Sequence, residues 1–453
     1  MSISVATPSS IGTSTTRKQG RAPPIASINA PNDVKVGRRS RVGMPAEERG
    51  PHRIVVLGAG YGGLTCALRL GRRLGSAVRA GELEIVLVDR NPYHLLETRL
   101  HEAAVRGVEV TIPIAKLLQR RPVRFIRADV TGLDIERRSV RTESGPIPYD
   151  ALVIALGSKS ASYGIPGLRE HAFELKTLDD ARGLKAHLEA RFAEATGEPD
   201  PERRRRLRRV VIGGAGLTGV ELATELTERI RDLTGVPLGA PDGGEVVLLE
   251  AANRILLAHD HATARSAHRV LRRAGIRIVT DVRLLEVRKN AVALSSDEVL
   301  PVGTVVWTGG VRVPEIFQEA GFRTGEKGRV VVGETLQVEG APNVYAIGDA
   351  ALARDPNSGE PIPMAAQFAL QQGRVVADNL VARRAGDRPI PYRPRILGEV
   401  ISLGKHLATG WLALGWIGRL RLTGFLASLL KRAIAERHLA LLWRESRRWA
   451  RPG

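Results

Sequence analysis

Six glycines and two acids carry most of the chemistry that can be read from this chain. Gly58, Gly60 and Gly63 lie in Gly58-Ala-Gly-Tyr-Gly-Gly63, directly after the apolar run Arg53-Ile-Val-Val-Leu57. Gly214, Gly216 and Gly219 repeat the arrangement in Gly214-Ala-Gly-Leu-Thr-Gly219, after Arg209-Val-Val-Ile212. This spacing suits a pyrophosphate: the first glycine makes the tight turn, the second admits the ligand to the backbone, and the third lets a helix pack closely. The helix that follows adds free N–H groups and a positive dipole end. Each copy then reaches a second apolar run that ends in an acid, Asp89 after Glu84-Ile-Val-Leu-Val and Glu250 after Glu245-Val-Val-Leu-Leu. A carboxylate at that position accepts hydrogen bonds from ribose hydroxyls. The gap from Gly63 to Asp89 is about 26 residues against the usual ~20, and a loop over Gly75 to Gly81 can absorb the excess. Two copies about 155 residues apart form an internal repeat at domain scale. They imply two dinucleotides, most simply a flavin that stays bound and a nicotinamide that exchanges. Glu250 suits a free 2′-hydroxyl and repels a 2′-phosphate, which favours NADH, although Arg254 close by could soften the preference.

The elements that must position these groups follow from the pattern. Each turn joins an apolar strand to a helix, Leu64 to Leu74 in the first copy and Val220 to Ile230 in the second. Three further apolar runs enter glycine turns: Tyr149 to Gly157, Gly303 to Gly310 and Asn343 to Asp349. The fold class is therefore α/β: two Rossmann-like dinucleotide-binding domains, interleaved as the family resemblance given below implies, followed by a C-terminal amphipathic helical membrane-contact segment. The expected division is a disordered tail over 1–52, an FAD domain over 53–168 and 320–394, an NADH domain over 169–319, and a membrane-associating region over 395–453. The tail is rich in Ser, Thr, Pro, Gly and Arg and has no acid before Asp33. It reads as a dispensable extension, a gene start placed too early (Met44 being the alternative), or an organelle transit peptide.

Composition narrows the classes. The chain has 453 residues, 43% hydrophobic and 26% charged, which excludes wholesale disorder, collagen and coiled coil. The net charge of +20 points to an anionic partner. Arginine outnumbers lysine so heavily that genome composition competes with that reading. The single cysteine, Cys66, excludes an intrachain disulfide, a paired-thiol redox centre and a cysteine-rich metal site; it reads as a small core residue. His94, His101, His406 and His438 show no ligand spacing, so no metal is expected. The Arg203 to Arg209 run reads as a solvated connection, and no nucleic-acid motif is present. No uninterrupted apolar run is long enough to span a bilayer. In the last segment, Leu422, Phe425, Leu426, Leu429 and Ala433 fall on one helical face with Lys431 opposite. Trp411, Trp416, Trp443 and Trp449 add interfacial aromatics. That mixture suits an in-plane anchor on an anionic leaflet.

The chain resembles the two-dinucleotide flavoprotein reductases, and within them the type II NADH dehydrogenases, non-pumping NADH:quinone oxidoreductases. The likeness runs from about Ile54 to Leu442. The first glycine turn continues into Asp89-Arg-Asn-Pro-Tyr-His-Leu-Leu96, and the second into Val220-Glu-Leu-Ala223. Tyr345-Ala-Ile-Gly-Asp-Ala350 resembles a late FAD motif. The discriminating stretch is Ala366-Gln-Phe-Ala-Leu-Gln-Gln372, which is similar to the motif beside the family's quinone site. The family's proline and glutamine within Tyr93 to Arg99 are absent here.

The resemblance implies that FAD meets Gly58, Gly60, Gly63, Asp89, Arg90, Val130, Gly157, Gly348, Asp349 and Ala366. It implies that NADH meets Gly214, Gly216, Gly219, Glu250 and Gly309. Glu221, Gln367 and Gln371 are then the expected catalytic residues. Glu221 is either a proton relay to the quinone or a group that only positions nicotinamide. Glu225, one turn on, reads as a structural acid. The lone cysteine argues against a disulfide relay and against sulfide:quinone oxidation. The implied partners are a quinone and an anionic membrane surface, with a homodimer left open. The implied location is peripheral, on the cytoplasmic face of the plasma membrane, or on the inner mitochondrial membrane if the tail is a transit peptide. Two other readings stay open: a soluble NAD(P)H reductase of ferredoxin or another small acceptor, and a redox-sensing flavoprotein without enzymatic work.

Overall fold

A computed structural model describes residues 51–240, 243–414 and 418–446. The expected tail lies outside this set except for Pro51 and His52, as do Trp416 and Trp449. In chain order, β1 (His52–Leu57), α1 (Tyr61–Arg73), β2 (Leu83–Asp89), α2 (Leu100–Arg106), β3 (Arg124–Arg127) and β4 (Ala151–Ile154) form the first part. After them come α3 (Leu178–Thr196), β5 (Arg209–Gly213), α4 (Leu217–Thr234), β6 (Glu245–Leu249), β7 (Arg277–Val279), β8 (Thr304–Trp307) and β9 (Val344–Ala346). The chain closes with α5 (Ala366–Ala385), β10 (Gly398–Ser402), β11 (Ala408–Ala413), β12 (Arg419–Gly424) and α6 (Phe425–Ser446).

The first parallel sheet has the order β9-β4-β1-β2-β3, and the second has β7-β6-β5-β8. β9 pairs with β4 through Val344 and Leu152, so the first sheet takes strands from both sides of the second in sequence. Interleaving therefore holds at the level of strands. The central strands are covered on both faces, which is why they read as continuous β-branched and leucine runs rather than alternating ones. Val55, Val56 and Leu57 are fully buried, as are Val210, Val211 and Ile212. Each such side chain contributes roughly 1.5–3 kcal/mol of burial. Cys66 lies in the first core.

Contacts cross the expected domain boundaries in three places. Val313 and Phe317 are buried with Val55 and Leu57 of the first sheet. Leu168 packs with Val211 and Val247 of the second. Helix α2, early in the chain, packs on α3 and α4 instead of on its own sheet. The Gly75 to Gly81 stretch holds a short helix, Gly75–Arg79, rather than a plain loop. The arginine run ends a helix, Pro201–Leu207, and Arg209 is buried against Glu245.

The C-terminal segment differs from the expected all-helical anchor. Residues 398–424 form an antiparallel sheet in the order β10-β11-β12. Leu422 is thus in a strand, and Trp411 is buried with the Arg419 guanidinium 4.1 Å from its ring centroid. The cause lies in the glycines. Gly404, Gly418 and Gly424 have left-handed φ at +91°, +101° and +74°, which ends any helix there. At Gly410 a Cβ would sit 1.9 Å from the Glu399 carbonyl oxygen, so the neighbouring strand requires glycine. Only α6 keeps the amphipathic character. Ala427, Ser428, Leu442 and Glu445 face inward, while Phe425, Leu426, Leu429, Ile434 and Trp443 are exposed.

The end of α6 is pinned by charge. Glu445 lies 3.1 Å from Arg72 and 3.9 Å from Arg69, and Arg121 donates to its carbonyl at 2.5 Å. Arg69 also holds Asp378 of α5 in a two-pronged pair at 2.8 and 2.7 Å. Glu445→Ala should remove the carboxylate that pairs with Arg72 and Arg69. Limited trypsin digestion should then cut at Arg437 and Arg444 several-fold faster while the two sheets stay intact; an unchanged cleavage rate would show that the ion cluster does not hold the helix.

Candidate active site

The two glycine turns are copies at atomic detail. Gly58 has φ +96° and a Cβ there would fall 2.3 Å from the Ala155 carbonyl oxygen; Gly214 has φ +107° and a Cβ would fall 2.6 Å from the Gly309 Cα. At Gly63 a Cβ would sit 1.9 Å from the Gly58 oxygen, and at Gly219 it would sit 2.0 Å from the Gly214 oxygen. Gly60 and Gly216 are different: a Cβ on either would meet nothing within 4 Å. The chain is thus closed where it must turn and pack, and open where a pyrophosphate would approach.

The helix starts agree. Neither α1 nor α4 has a side-chain N-cap or an acid in its first turn. Some other helices do carry side-chain caps: Thr177 and Asp180 form a capping box on α3, and Asp260 accepts from two N–H groups at the start of the helix His261–Arg273. Uncapped N–H groups at both glycine turns suit an anion. The residues therefore fit two dinucleotides.

The two acids are equivalent as well. Asp89 accepts from the Ala59 N–H at 2.6 Å and from Asn91 at 2.7 Å. Glu250 accepts from Ala215 and Ala252, both at 2.9 Å. Burial raises the Asp89 pKa against these bonds. Each carboxylate is fixed by backbone and keeps further lone pairs for a ribose. Arg254 donates to the carbonyls of Ile255, Leu256, Leu257 and His259, so its guanidinium is committed to the main chain and is held away from a 2′-phosphate role.

A cavity of about 1930 Å³ joins the first turn and its acid to the start of α4. Gly58, Gly60, Asp89, Arg90, Val130, Gly157, Gly348, Asp349 and Ala366 line it, and so do Glu221, Gln367 and Gln371. Gly63 packs inward. Gly214, Gly216, Gly219, Glu250 and Gly309 are not on its wall, but Leu217 and Thr218 at the start of α4 are. Asp349 accepts from Ser158 at 2.6 Å, and the Gly348 N–H donates to the buried Gln372 at 2.6 Å. Trp307 packs beneath the second turn, donating to the Ala161 carbonyl at 2.8 Å. A Cβ on Gly309 would fall 2.3 Å from its ring.

Glu221 is the most constrained group on the wall. It is 4% exposed. The Lys431 ammonium of α6 pairs with Oε1, and the Ser402 N–H of β10 donates to the same oxygen at 3.0 Å. His101 Nδ1 of α2 lies 3.5 Å from Oε2. Burial alone would raise the Glu221 pKa; Lys431 and His101, with the hydrogen bonds, outweigh it and hold the carboxyl below the usual range. Lys431 thus does not lie on a solvated face opposite the apolar stripe. One helix carries both the stripe and this inward cation. Glu225 pairs with Arg106 at 2.7 Å, and burial pushes its pKa up to about 7.

The glutamines divide their work. Gln371 uses both amide atoms on Arg395, donating to its carbonyl at 2.8 Å and accepting its N–H at 2.9 Å. Gln367 accepts from Leu397 N–H at 3.3 Å. Both therefore brace the chain entering β10, and Gln371 has no amide atom left uncommitted. Beside them Tyr61, His94 and His438 form a ring cluster, and burial pushes both imidazoles down to about 4. Among the described residues no group of three or more His, Cys, Asp or Glu could hold a metal. Lys431, Ser402 and His101 had no spacing signal in the sequence, because their contacts with Glu221 are tertiary.

Comparison with known proteins decides the family. Residues 52–373 match the pyridine nucleotide-disulphide oxidoreductase family. A type II NADH:quinone oxidoreductase of Staphylococcus aureus is 32% identical over 366 residues, covering 79% of this chain and 89% of that protein. The chain belongs to the type II NADH:quinone oxidoreductases. The Staphylococcus haemolyticus member is 32% identical over 391 residues, covering 85% of this chain and 94% of its own. The solved NDH2 of Plasmodium falciparum, in complex with NADH, has the same fold with a TM-score of 0.75 at 16% identity, covering 88% of this chain and 99% of that one. Within the wider family's disulphide name, this member's only cysteine is the buried Cys66.

The open second glycines give a direct test. Gly60 and Gly216 have φ near −70°, so a side chain there is not strained. Gly60→Val should yield folded protein that purifies without flavin absorbance. Gly216→Val should retain flavin and raise the KM for NADH by roughly tenfold or more, equivalent to about 1.4 kcal/mol. Wild-type flavin content and KM in both variants would contradict the assignment of the turns.

Proposed function

We propose that this chain oxidises NADH through bound FAD and delivers the electrons to a membrane quinone without pumping protons. The observation that carries the reading is the shared wall: the first glycine turn, Asp349 and the Glu221–Lys431 pair face one cavity, and one side of that cavity is α6, whose other face is exposed and apolar. Bound flavin supplies the hydride acceptance and the two-electron transfer; the chain supplies binding, orientation and protons. Gly60, Asp89, Arg90, Val130, Gly157, Gly348, Asp349 and Ala366 hold the flavin nucleotide. Gly216, Glu250 and Gly309 belong to the NADH side, and Glu250 with the committed Arg254 favours NADH over NADPH. The domains are assigned as 53–168 with 320–394 for FAD, 169–319 for NADH and 395–453 for membrane contact.

Quinone reduction adds two hydrogens. One of the two hydrogens arrives with the hydride of NADH; Glu221 is assigned as the acid that passes on the other as a proton, rather than as a nicotinamide-positioning group, because it is buried, ion-paired and on the cavity wall. Gln367 keeps an amide NH2 for the quinone, and Gln371 positions the strand beside it. Among the described residues no helix is long and apolar enough to cross a membrane. Phe425, Leu426, Leu429 and Ile434, flanked by the exposed Arg432, Arg437 and Arg444, suit a peripheral seat on an anionic bilayer. The cytoplasmic face is favoured, since NADH is supplied there. The mitochondrial alternative rests on a tail outside the described residues.

Two measurements test this. Under anaerobic conditions NADH oxidation should run with a soluble quinone analogue and fail with ferredoxin; the reverse would establish the soluble-carrier reductase. Leu426→Glu with Leu429→Glu should abolish co-sedimentation with phosphatidylglycerol vesicles while the soluble-analogue rate stays within about twofold, a loss well under 1 kcal/mol. Unaltered vesicle binding would remove α6 from the membrane face.

A further inference from the structure

Away from the nucleotide turns, the cavity wall carries a guanidinium that is unpaired among the described residues. Arg374 is half-buried on α5 and lines the cavity on the same stripe as Gln367 and Gln371. It makes no hydrogen bond or ion pair with any described residue. The carboxylates beside it are already taken. Asp378, one turn further along α5, is held in the two-pronged pair by Arg69. Glu445 of α6 is shared by Arg72 at 3.1 Å and Arg69 at 3.9 Å. Glu436 lies near Arg99. The other charges around Arg374 have its own sign: Arg69, Arg444 and Arg437. Burial lowers the Arg374 pKa; Glu445 opposes this, and the three guanidiniums add to it. An arginine nevertheless stays charged at neutral pH. A partly desolvated cation among like charges is costly until an anion joins it.

The surroundings say which anion. Arg437 lines the same cavity from α6 and is exposed. Ile434 and Leu441, one turn to either side of it, line the cavity too, and Ile434 is 46% exposed. Arg437 follows Leu426 by eleven residues, close to three full turns of helix, so it shares the face of that exposed leucine. A strip of apolar, cationic and apolar side chains thus runs along the lip of the cavity. Two guanidinium forks suit a phosphate. The flanking aliphatic side chains suit a fatty chain. We propose that Arg374 and Arg437 together bind the phosphate of an anionic phospholipid, whose acyl chains lie on Ile434 and Leu441. A free phosphate has the same charge chemistry and no use for the apolar strip. The bound lipid offsets the charge that the engaged acids leave over, and it joins α5 to α6 at the lip of the cavity. Anionic headgroups are available where a basic helix lies on a bilayer. This inference rests on the assignment of α6 to the membrane face.

The test uses full-length, flavin-loaded protein in non-ionic detergent. It is titrated with dihexanoyl phosphatidylglycerol below its micelle concentration and followed by native mass spectrometry. The wild type should take up a single lipid, and dihexanoyl phosphatidylcholine should bind roughly tenfold more weakly. Arg374→Gln should weaken the phosphatidylglycerol site roughly tenfold or more, equivalent to about 1.4 kcal/mol. Arg388→Gln removes an equal charge from an exposed position off the cavity wall. Its affinity should stay within about twofold of the wild type. Bound lipid should also slow tryptic cleavage at Arg444 in the wild type and not in Arg374→Gln. If Arg374→Gln does not retain flavin, Arg437→Gln carries the test. Equal weakening by Arg374→Gln and Arg388→Gln would reduce the effect to overall charge and overturn the site. Displacement of the lipid by an equal concentration of inorganic phosphate would overturn the lipid assignment in favour of free phosphate. Vesicle binding without single-lipid uptake would overturn this inference and leave the membrane seat standing. Single-lipid uptake without vesicle binding would keep the site and remove that seat.

Discussion

A carboxylate taken out of water must be met by charge and hydrogen bonds, and in this chain that requirement falls on Glu221. Its partners come from stretches far apart in sequence: His101 on α2, Ser402 on β10 and Lys431 on α6. Glu221 itself sits two residues after Gly219, on the helix opened by the second glycine turn. Satisfying one buried charge therefore joins the nicotinamide-side helix, a helix from the first part of the chain and the C-terminal segment. The apolar packing agrees. Ile401 and Leu403 are buried in the core of the second sheet, and Leu442 is buried in the core of the first. The C-terminal segment is thus tied to both cores, and its remaining apolar face turns outward.

The duplicated turns explain how one chain handles two dinucleotides with different fates. Backbone geometry, uncapped helix starts and the acid held by the following N–H groups are nearly the same in both copies. What differs is the surroundings. The first turn faces the large cavity together with Gly157 and Asp349, so a flavin held there, as proposed, would be enclosed by several segments. The second turn reaches that cavity only through the first residues of α4, which suits a nucleotide that enters and leaves. On the proposed reading, the exposed, apolar side of α6 adds a third access, from lipid. Hydride donor and final acceptor can thus approach by different routes.

Much of this was legible in the sequence because it depends on local rules. Glycines at fixed spacing between a strand and a helix, and an acid ending the next strand, mark the turns without any tertiary knowledge. Cys66 also lies in a core, as its type and neighbours indicated. The C-terminal sheet was not legible. Leu422, Phe425, Leu426 and Leu429 match a helical face, and the pattern hides that Gly418 and Gly424 break it into strand and helix. Gln371 was legible as a candidate and lines the cavity, but its commitment to Arg395 depends on a segment more than twenty residues away. Lys431 read as the polar side of an amphipathic helix. Only packing shows that this side faces a buried acid.

The most direct measurement is an anaerobic double-mixing experiment on flavin-loaded protein bound to anionic vesicles. NADH is added first, and vesicles with or without embedded quinone second. The structure predicts rapid loss of the oxidised flavin band on the first mix. It predicts stoichiometric recovery on the second only where the vesicles hold quinone. Bleaching with no recovery on quinone-bearing vesicles would contradict the account, and so would a flavin that NADH does not bleach.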